Sequence, residues 1–262
     1  MQKYVLHIGY DGSQFRGWQR QNNVPSIQET FEQALSKVLN KTTSVFGCGR
    51  TDALVHASQY FLQFSYAKVL DEKFIFIMNK VLPPSIRVYD LAMVKHNFSV
   101  QNHAVSRSYR YYLHTKSNAF INNYSSYYSI EKPKISKMTQ AASAFIGHHD
   151  FHSFCKTPDK HMHTMVNVYN VDLTFNRDKS IICIEFKADR FLKGMIRAIV
   201  HHIIQIGEGK MSLSDVSYKL QTAAFFPNIQ LAHPQGLYLS EVAYDELDFE
   251  SVKEPLWYML KY

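Results

Sequence analysis

The chain has 262 residues, 46% of them hydrophobic and 19% charged, which is enough for one large core or two smaller ones. No apolar run reaches the length of a membrane span, and the opening MQKYVLHIGYDG lacks a secretory signal's apolar block and cleavage site, so the expected compartment is the cytoplasm. Three scattered cysteines (Cys48, Cys155 and Cys183) argue against a disulfide framework or cysteine-rich zinc site, while a formal charge of +7 beside 18 Phe, 17 Tyr and 2 Trp favours a polyanionic partner such as nucleic acid.

The first predicted element is a strand in which Tyr4, Leu6, Ile8 and Tyr10 alternate, stopped by Asp11-Gly12. A helix follows over 26–40. Ser26 and Glu29 have capping-box spacing, and Ile27, Phe31, Ala34, Leu35 and Val38 form one apolar face. Strands are expected at 44–48 and 57–66, a helix over 71–80 stopped by Pro83-Pro84, and a strand at 86–94. That order is the ferredoxin-like split unit, βαββαβ. A looser second series follows: a strand at 106–115, a helix over 134–146 ended by Gly147, and strands at 165–175 and 180–188. A long helix over 190–206, a shorter one from Ser212 and a strand at 237–244 complete it. The predicted fold class is α+β: two ferredoxin-like halves, 1–103 and 104–262, with their sheets joined into one larger, mostly antiparallel sheet.

Four groups of residues carry candidate chemistry. Asp52 follows Gly47, Gly49 and Arg50 in a loop between two strands, where glycine lets backbone approach a ligand and a cation two positions away favours an ionised carboxylate. The alternative is a turn aspartate bonded to its own backbone. Arg190, Lys193 and Arg197 recur at i, i+3 and i+7 of the predicted long helix, opposite Phe191, Met195, Ile199 and Ile203, as a phosphate-binding stripe or a solvated face. Arg107, Tyr109 and Tyr111 share one face of a predicted strand, as a base-stacking platform or ordinary half-buried rings. HHDFH at 148–152, with His161 and His163, has enough ligands for a metal, but its spacing fits no compact metal motif and its aromatic neighbours suggest packing. No P-loop, dinucleotide glycine run or serine-nucleophile elbow is present.

Eight segments, in order, resemble the tRNA pseudouridine synthase A family through most of the chain: YDGSQFRGWQRQ, SIQETFEQAL, GRTDALVHA, MNKVLPPSIRV, RSYRYYL, HDFHSF, RFLKGMIRAIV and GLYLSEVAY. The resemblance implies that Asp52 is a nucleophile, that Arg197 pairs with it, that Tyr109 stacks on the target uracil, and that Arg50 stands at the pocket entrance. It also implies RNA contacts from Arg16, Gln19, Arg20, Arg190 and Lys193, a catalytic cleft between the halves, and a homodimer. No cofactor or metal is needed. The implied substrate is uridine in the tRNA anticodon stem-loop, positions 38 to 40, extruded from its helix before reaction. Four positions depart from the pattern. Leu54 and His201 replace glycines, and Gln101 and Val166 replace arginines. A left-handed Leu54 would cost about 1–2 kcal/mol. The competing readings are a diverged tRNA-binding paralogue without isomerase activity and a histidine-metal hydrolase.

Overall fold

In the computed structural model, the alternating N-terminal run is β1 (Gln2–Tyr10), buried on both faces from Tyr4 onward. The structure describes residues 1–262 except Glu72, Phe225, Pro227, Asp248, 250–253, Pro255, Leu256 and 258–262. The chain divides into two units: Met1–Val105 with Tyr238–Glu254, and Ser106–Leu237 with Pro255–Tyr262. The predicted second half ran unbroken to residue 262, whereas the last long strand belongs to the first unit. No helix among the described residues is long and apolar enough to cross a membrane. Both units are mixed α and β, with mostly antiparallel strands.

In the first unit, α1 (Ile27–Leu39) starts at Ser26, whose hydroxyl accepts the Glu29 N–H, and ends at Asn40 in the left-handed region. It buries Ile27, Phe31 and Leu35 completely. The predicted strand at 44–48 shrinks to β2 (Phe46–Gly47), because only those two residues find ladder partners, Gln63 and Leu62. β3 (His56–Tyr66) runs antiparallel to β1 in the register Leu6↔Leu62, and β4 (Ile86–Val94) pairs with the other edge of β1. Between β3 and β4 lies α2 (Lys73–Val81), which ends just before Pro83-Pro84. The strand order is β4-β1-β3, with β2 alongside β3.

In the second unit, β5 (Ala104–His114), β9 (Ile181–Ala188), β8 (Met165–Phe175) and β7 (Gly147–Asp150) form an antiparallel sheet in that order. A two-residue strand, β6 (Ser126–Tyr127), lies parallel to the end of β5. The helices are α3 (Ile135–Ser143), α4 (Met195–Glu208) and α5 (Leu213–Thr222). α3 and α4 approach so closely that a Cβ on Gly207 would lie 2.5 Å from Met138 Cγ. α5 opens with a full capping box between Ser212 and Asp215. β10 (Leu237–Tyr244) then returns to the first unit, pairing parallel to β3 through Tyr238↔His56 and Leu239↔Ala57.

Two predicted helices change extent. The helix over 134–146 stops at Ser143, and Gly147, at φ 115°, opens β7 instead of ending a helix. The helix over 190–206 begins only at Met195, because Gly194 adopts φ 76° and its left-handed backbone cannot continue a helix upstream.

Candidate active-site loop and basic segments

Asp52 lies on the segment joining β2 to β3, and this segment is held by residues from the start of the chain. Trp18 N–H donates to Thr51 O at 3.2 Å, and Leu54 N–H donates to Phe15 O at 3.2 Å. Gly17, at φ 95°, lies directly beneath: a Cβ there would sit 2.5 Å from Thr51 O and 3.1 Å from the Asp52 carbonyl carbon. Gly12 is equally close to Val55, with 2.0 Å from an added Cβ to Val55 O. Both positions therefore need glycine for close backbone approach. The 12–18 segment is itself tied to α1, since Ile27 N–H and Gln28 N–H donate to Gly17 O and Trp18 O.

The side chains around the loop are aromatic. Trp18 and Tyr60 have ring centroids 4.2 Å apart, and Tyr10 meets Tyr60 edge-on at 5.5 Å. Tyr60 Oη donates to Gly49 O at 2.6 Å, and the Tyr10 and Thr51 hydroxyls lie 2.8 Å apart in a buried position. The chain then turns, with Val55 N–H donating to Asp52 O at 3.3 Å and Leu54 at φ 66°. Leucine therefore occupies the left-handed conformation at a cost of about 1–2 kcal/mol.

Asp11 and His56 brace the far side of the loop. His56 stacks on Tyr238, and its Nδ1 lies 3.1 Å from Gly12 N and 3.2 Å from Asp11 Oδ1. One nitrogen serves one of these at a time: bare Nδ1 accepts from Gly12, and Nδ1–H donates to Asp11. Burial favours a neutral Asp11, but hydrogen bonds from His56 and the Ser13 amide outweigh it and hold the carboxyl well below the usual carboxylate range.

In the second unit, Arg197 stands in the first turn of α4. Its Nε donates to Ala232 O at 2.7 Å, and Ala232 N–H donates back to Arg197 O at 2.9 Å. The next residue, His233, gives its N–H to Tyr128 Oη, while its carbonyl accepts from Tyr111 Oη at 2.9 Å. Arg197 is thus fixed to a segment that buried Tyr111 and half-buried Tyr128 also hold. Burial raises both phenol pKa values, so both rings stay neutral hydrogen-bonding groups at ordinary pH.

The structure separates the other predicted residues. Tyr109 is half-buried on β5, edge-on to Phe191 at 5.2 Å. Tyr111 is fully buried with a bonded hydroxyl, which removes it from the expected two-ring platform. Arg107 reaches Asp189 O at 3.4 Å. Arg190 and Lys193 precede α4, so they do not share a helical face with Arg197. Gly194 ends that periodicity. Arg190 Nη1 contacts His163 Nε2 at 3.4 Å, and exposed Lys193 accepts the Lys156 N–H on its carbonyl at 2.9 Å.

Arg16, Gln19, Arg20 and Arg50 are exposed. Arg20 forms an ion pair with buried Glu32, and among the described residues the Arg50 guanidinium forms no ion pair. Val166 is fully buried on β8 opposite His149, so that position is core. No three potential metal ligands cluster among the described residues. In HHDFH, His149 instead contacts Ile146 O, and Asp150 accepts the His152 N–H and the Thr164 hydroxyl.

Sequence reasoning missed three contributors: Tyr10 and Tyr60, which support the Asp52 loop, and exposed Lys156, whose backbone N–H bonds the Lys193 carbonyl. The tyrosines read as ordinary strand residues. Lys156 had no signal, because only tertiary contact brings it to Lys193.

A family model described as tRNA pseudouridine synthase matches residues 141–245. The chain is 34% identical over 247 residues to the tRNA pseudouridine synthase A of Caldicellulosiruptor bescii, covering 93% of this chain and 100% of that protein. It is 34% identical over 253 residues to the Bacteroides fragilis protein of the same name, covering 95% and 99%. The Prochlorococcus marinus (strain MIT 9515) counterpart is 35% identical over 215 residues, covering 81% and 80%.

Proposed function

Because the chain belongs to the tRNA pseudouridine synthase A family, and is therefore an isomerase that makes pseudouridine, we propose that Asp52 is its nucleophile and that its targets are uridines of the tRNA anticodon stem-loop. The observation that carries this reading is the left-handed backbone at Leu54. The loop keeps the shape that the family's glycine allows, at a cost in strain. Strain retained beside a carboxylate supports a role for that carboxylate.

In the proposed reaction the N1–C1′ bond of uridine breaks and a C5–C1′ bond forms. C5 loses its proton to solvent and N1 gains one, so composition is unchanged. Asp52 supplies electron density to the sugar or the base while the uracil turns over. Tyr109, half-exposed and steadied by Phe191, offers its ring to the loosened base. Arg197, held in place by Ala232, is the proposed partner that pairs with Asp52 and positions it. Arg50, Arg16, Gln19, Arg190 and Lys193 contact the RNA in this reading, with Arg20 sharing its charge with Glu32. Lys156 joins them beside Lys193.

We further propose two ferredoxin-like halves and a homodimer. Supporting the first, β2 lies beside β3 in a β4-β1-β3 sheet, with α1 and α2 as crossovers. Light scattering of purified protein tests the dimer, which a monomer mass at micromolar concentration refutes.

The principal test is tritium release from tRNA carrying 5-tritiated uridine. Wild type should release tritium, and Asp52→Asn should lose at least about a thousandfold in rate while still binding tRNA. Equal release by both proteins would remove Asp52 from the chemistry. Mapping pseudouridine in tRNA from cells with and without the chain tests the stem-loop assignment.

A further inference from the structure

We propose that the groove between α2 and β4 in the first unit is a further RNA contact, holding an unpaired nucleotide of the substrate tRNA. The inference rests on tRNA being the substrate, and not on which carboxylate is the nucleophile.

α2 has the sequence KFIFIMNKV, yet of its apolar residues only Phe74 and Met78, one turn apart, are buried. Lys73, Phe76, Ile77 and Lys80 recur at i, i+3, i+4 and i+7 and form a separate, exposed stripe. Phe76 is 65% and Ile77 42% exposed. Apolar side chains grouped in water beside cations mark a contact surface rather than a solvated face. Between this stripe and β4 lies a groove of about 630 Å³, lined by Ile75, Phe76, Asn79, Lys80 and Arg87. That volume falls inside the roughly 300–1,000 Å³ of ordinary ligand sites and has room for one nucleotide. Its floor is fixed by side-chain bonds to backbone. Asn79 Nδ2 donates to Val88 O at 2.8 Å, and Val88 N–H donates to Asn79 Oδ1 at 2.8 Å, tying α2 to edge strand β4. These bonds occupy the Val88 backbone groups, so no added strand can use them.

Charge and ring together select the occupant. Lys80 Nζ lies 5.5 Å from the Phe76 ring centroid, and Arg87 is exposed at the start of β4. An exposed ring beside two cations offers a π-face to a base and positive charge to its phosphate. None of the lining residues is acidic. A twofold contact between two copies would bring Lys80 and Arg87 of each against like charges of the other, with no acid in the lining to offset them. Position favours the same substrate. β4 opens with Ile86 opposite Tyr10, and Tyr10 is opposite Ala57, near the start of β3 and just after the Asp52 loop. Asp11 N–H also donates to Ser85 O at 2.8 Å. The β4 side of the groove therefore lies at the same end of the sheet as that loop, two strand spacings across, or ~10 Å. RNA that reaches the loop is within reach of the groove.

The test is filter binding of tRNA by the full-length wild type, Phe76→Ala, Phe76→Leu, Phe76→Tyr and a Lys80→Ala, Arg87→Ala double variant, with tritium release as the second readout. Phe76→Ala and Phe76→Leu should each weaken binding about 5–20-fold, and Phe76→Tyr should stay within about twofold, because only a ring stacks on a base. The double variant should flatten the slope of log affinity against log salt by about one to two. In the Phe76 variants KM should rise with the loss of affinity while kcat stays within about twofold of wild type. These side chains are exposed, so thermal midpoints should match wild type. Wild-type affinity in Phe76→Ala overturns the proposal. So does normal binding by Phe76→Leu beside weak binding by Phe76→Ala, which would mark simple apolar burial of the kind a protein partner uses. A dimer that Phe76→Ala splits in light scattering overturns it too, in favour of a second copy on this face. A wild type that binds no tRNA overturns both the groove and the substrate reading. A wild type that binds tRNA no better than the double variant and Phe76→Ala removes the groove alone.

Discussion

Asp52 and Arg197 occupy different kinds of backbone. Asp52 sits on an irregular segment whose position comes from Trp18, Phe15, Gly17 and Tyr10, all distant in sequence, and from Tyr60 on the following strand. Arg197 sits in the first turn of α4, whose own hydrogen bonds fix its direction, and its Nε bond to Ala232 O helps set its reach. A helix delivers a side chain through local geometry. A loop does so through tertiary contacts, each of which can be lost separately. The Asp52 side should therefore respond to small backbone changes that the Arg197 side would tolerate.

The strongest way to break this contrast is Gly17→Ala. With φ at 95° and backbone atoms 2.5–3.3 Å from the added Cβ, it should destabilise the protein by about 3 kcal/mol in urea titration and abolish turnover. A loss below about 1 kcal/mol would mean that the loop backbone adapts, and the contrast would fail.

The α4 side has its own vulnerability, to acid. Burial, with Lys219 and His201 adding repulsion, lowers the His202 pKa to about 4; the Ala198 carbonyl and Asp215 oppose that shift. Nδ1–H donates to Ala198 O at 2.7 Å, and Nε2 lies 2.8 Å from Lys219 Nζ. The folded-state value lies below the unfolded value of about 6.5, so the unfolded chain binds the proton first. Stability is complete above about pH 6.5 and is lost as pH falls toward 4, by about 2 kcal/mol between pH 7 and pH 5. Urea midpoints across that range should show the slope, and His202→Asn should flatten it.

Arg197→Lys sharpens the comparison further. Lysine cannot reproduce the Nε–H bond to Ala232 O, so about 1.5 kcal/mol of stability should go, together with turnover. tRNA affinity in filter binding should change little. The smallest effect belongs to Leu54. Leu54→Gly should be more stable than Leu54→Ala by about 1 kcal/mol, since the left-handed penalty slightly exceeds the chain-entropy cost of glycine. Equal denaturation midpoints would mean that the turn relaxes when the leucine is removed.

Much of this molecule was legible from local pattern. Alternation at Tyr4–Tyr10 located β1, the Ser26 cap and apolar spacing located α1, and Pro83-Pro84 marked the end of α2. These signals rest on neighbours within a few residues, and the forces behind them act over the same range. The loop glycines were legible too, although for different reasons than expected. Gly47 is packed, with 1.9 Å from an added Cβ to Tyr60 Oη, whereas a Cβ on Gly49 would meet nothing within 4 Å.

Misread features depended on distant partners or on the backbone conformation of a single residue. Periodicity placed Arg190, Lys193 and Arg197 on one helix face, but a left-handed Gly194 excludes the first two from α4. The strand pattern offered Tyr111 as a stacking ring, yet β9 and the hydroxyl contacts to Tyr128 and His233 bury it. β6 and β7 are too short to leave a pattern and exist because β5 and β8 supply their ladder partners.

The sequence by itself determined where most strands and helices lie, because capping, alternation and helical periodicity are local. Its ordered motifs also indicated the family. Only the tertiary structure decided that β10 rejoins the first unit, that Leu54 takes a left-handed conformation, and that YDGSQFRGW is the support beneath GRTDALV. Those outcomes depend on hydrogen bonds and close backbone contacts between segments far apart along the chain, which local sequence pattern cannot encode.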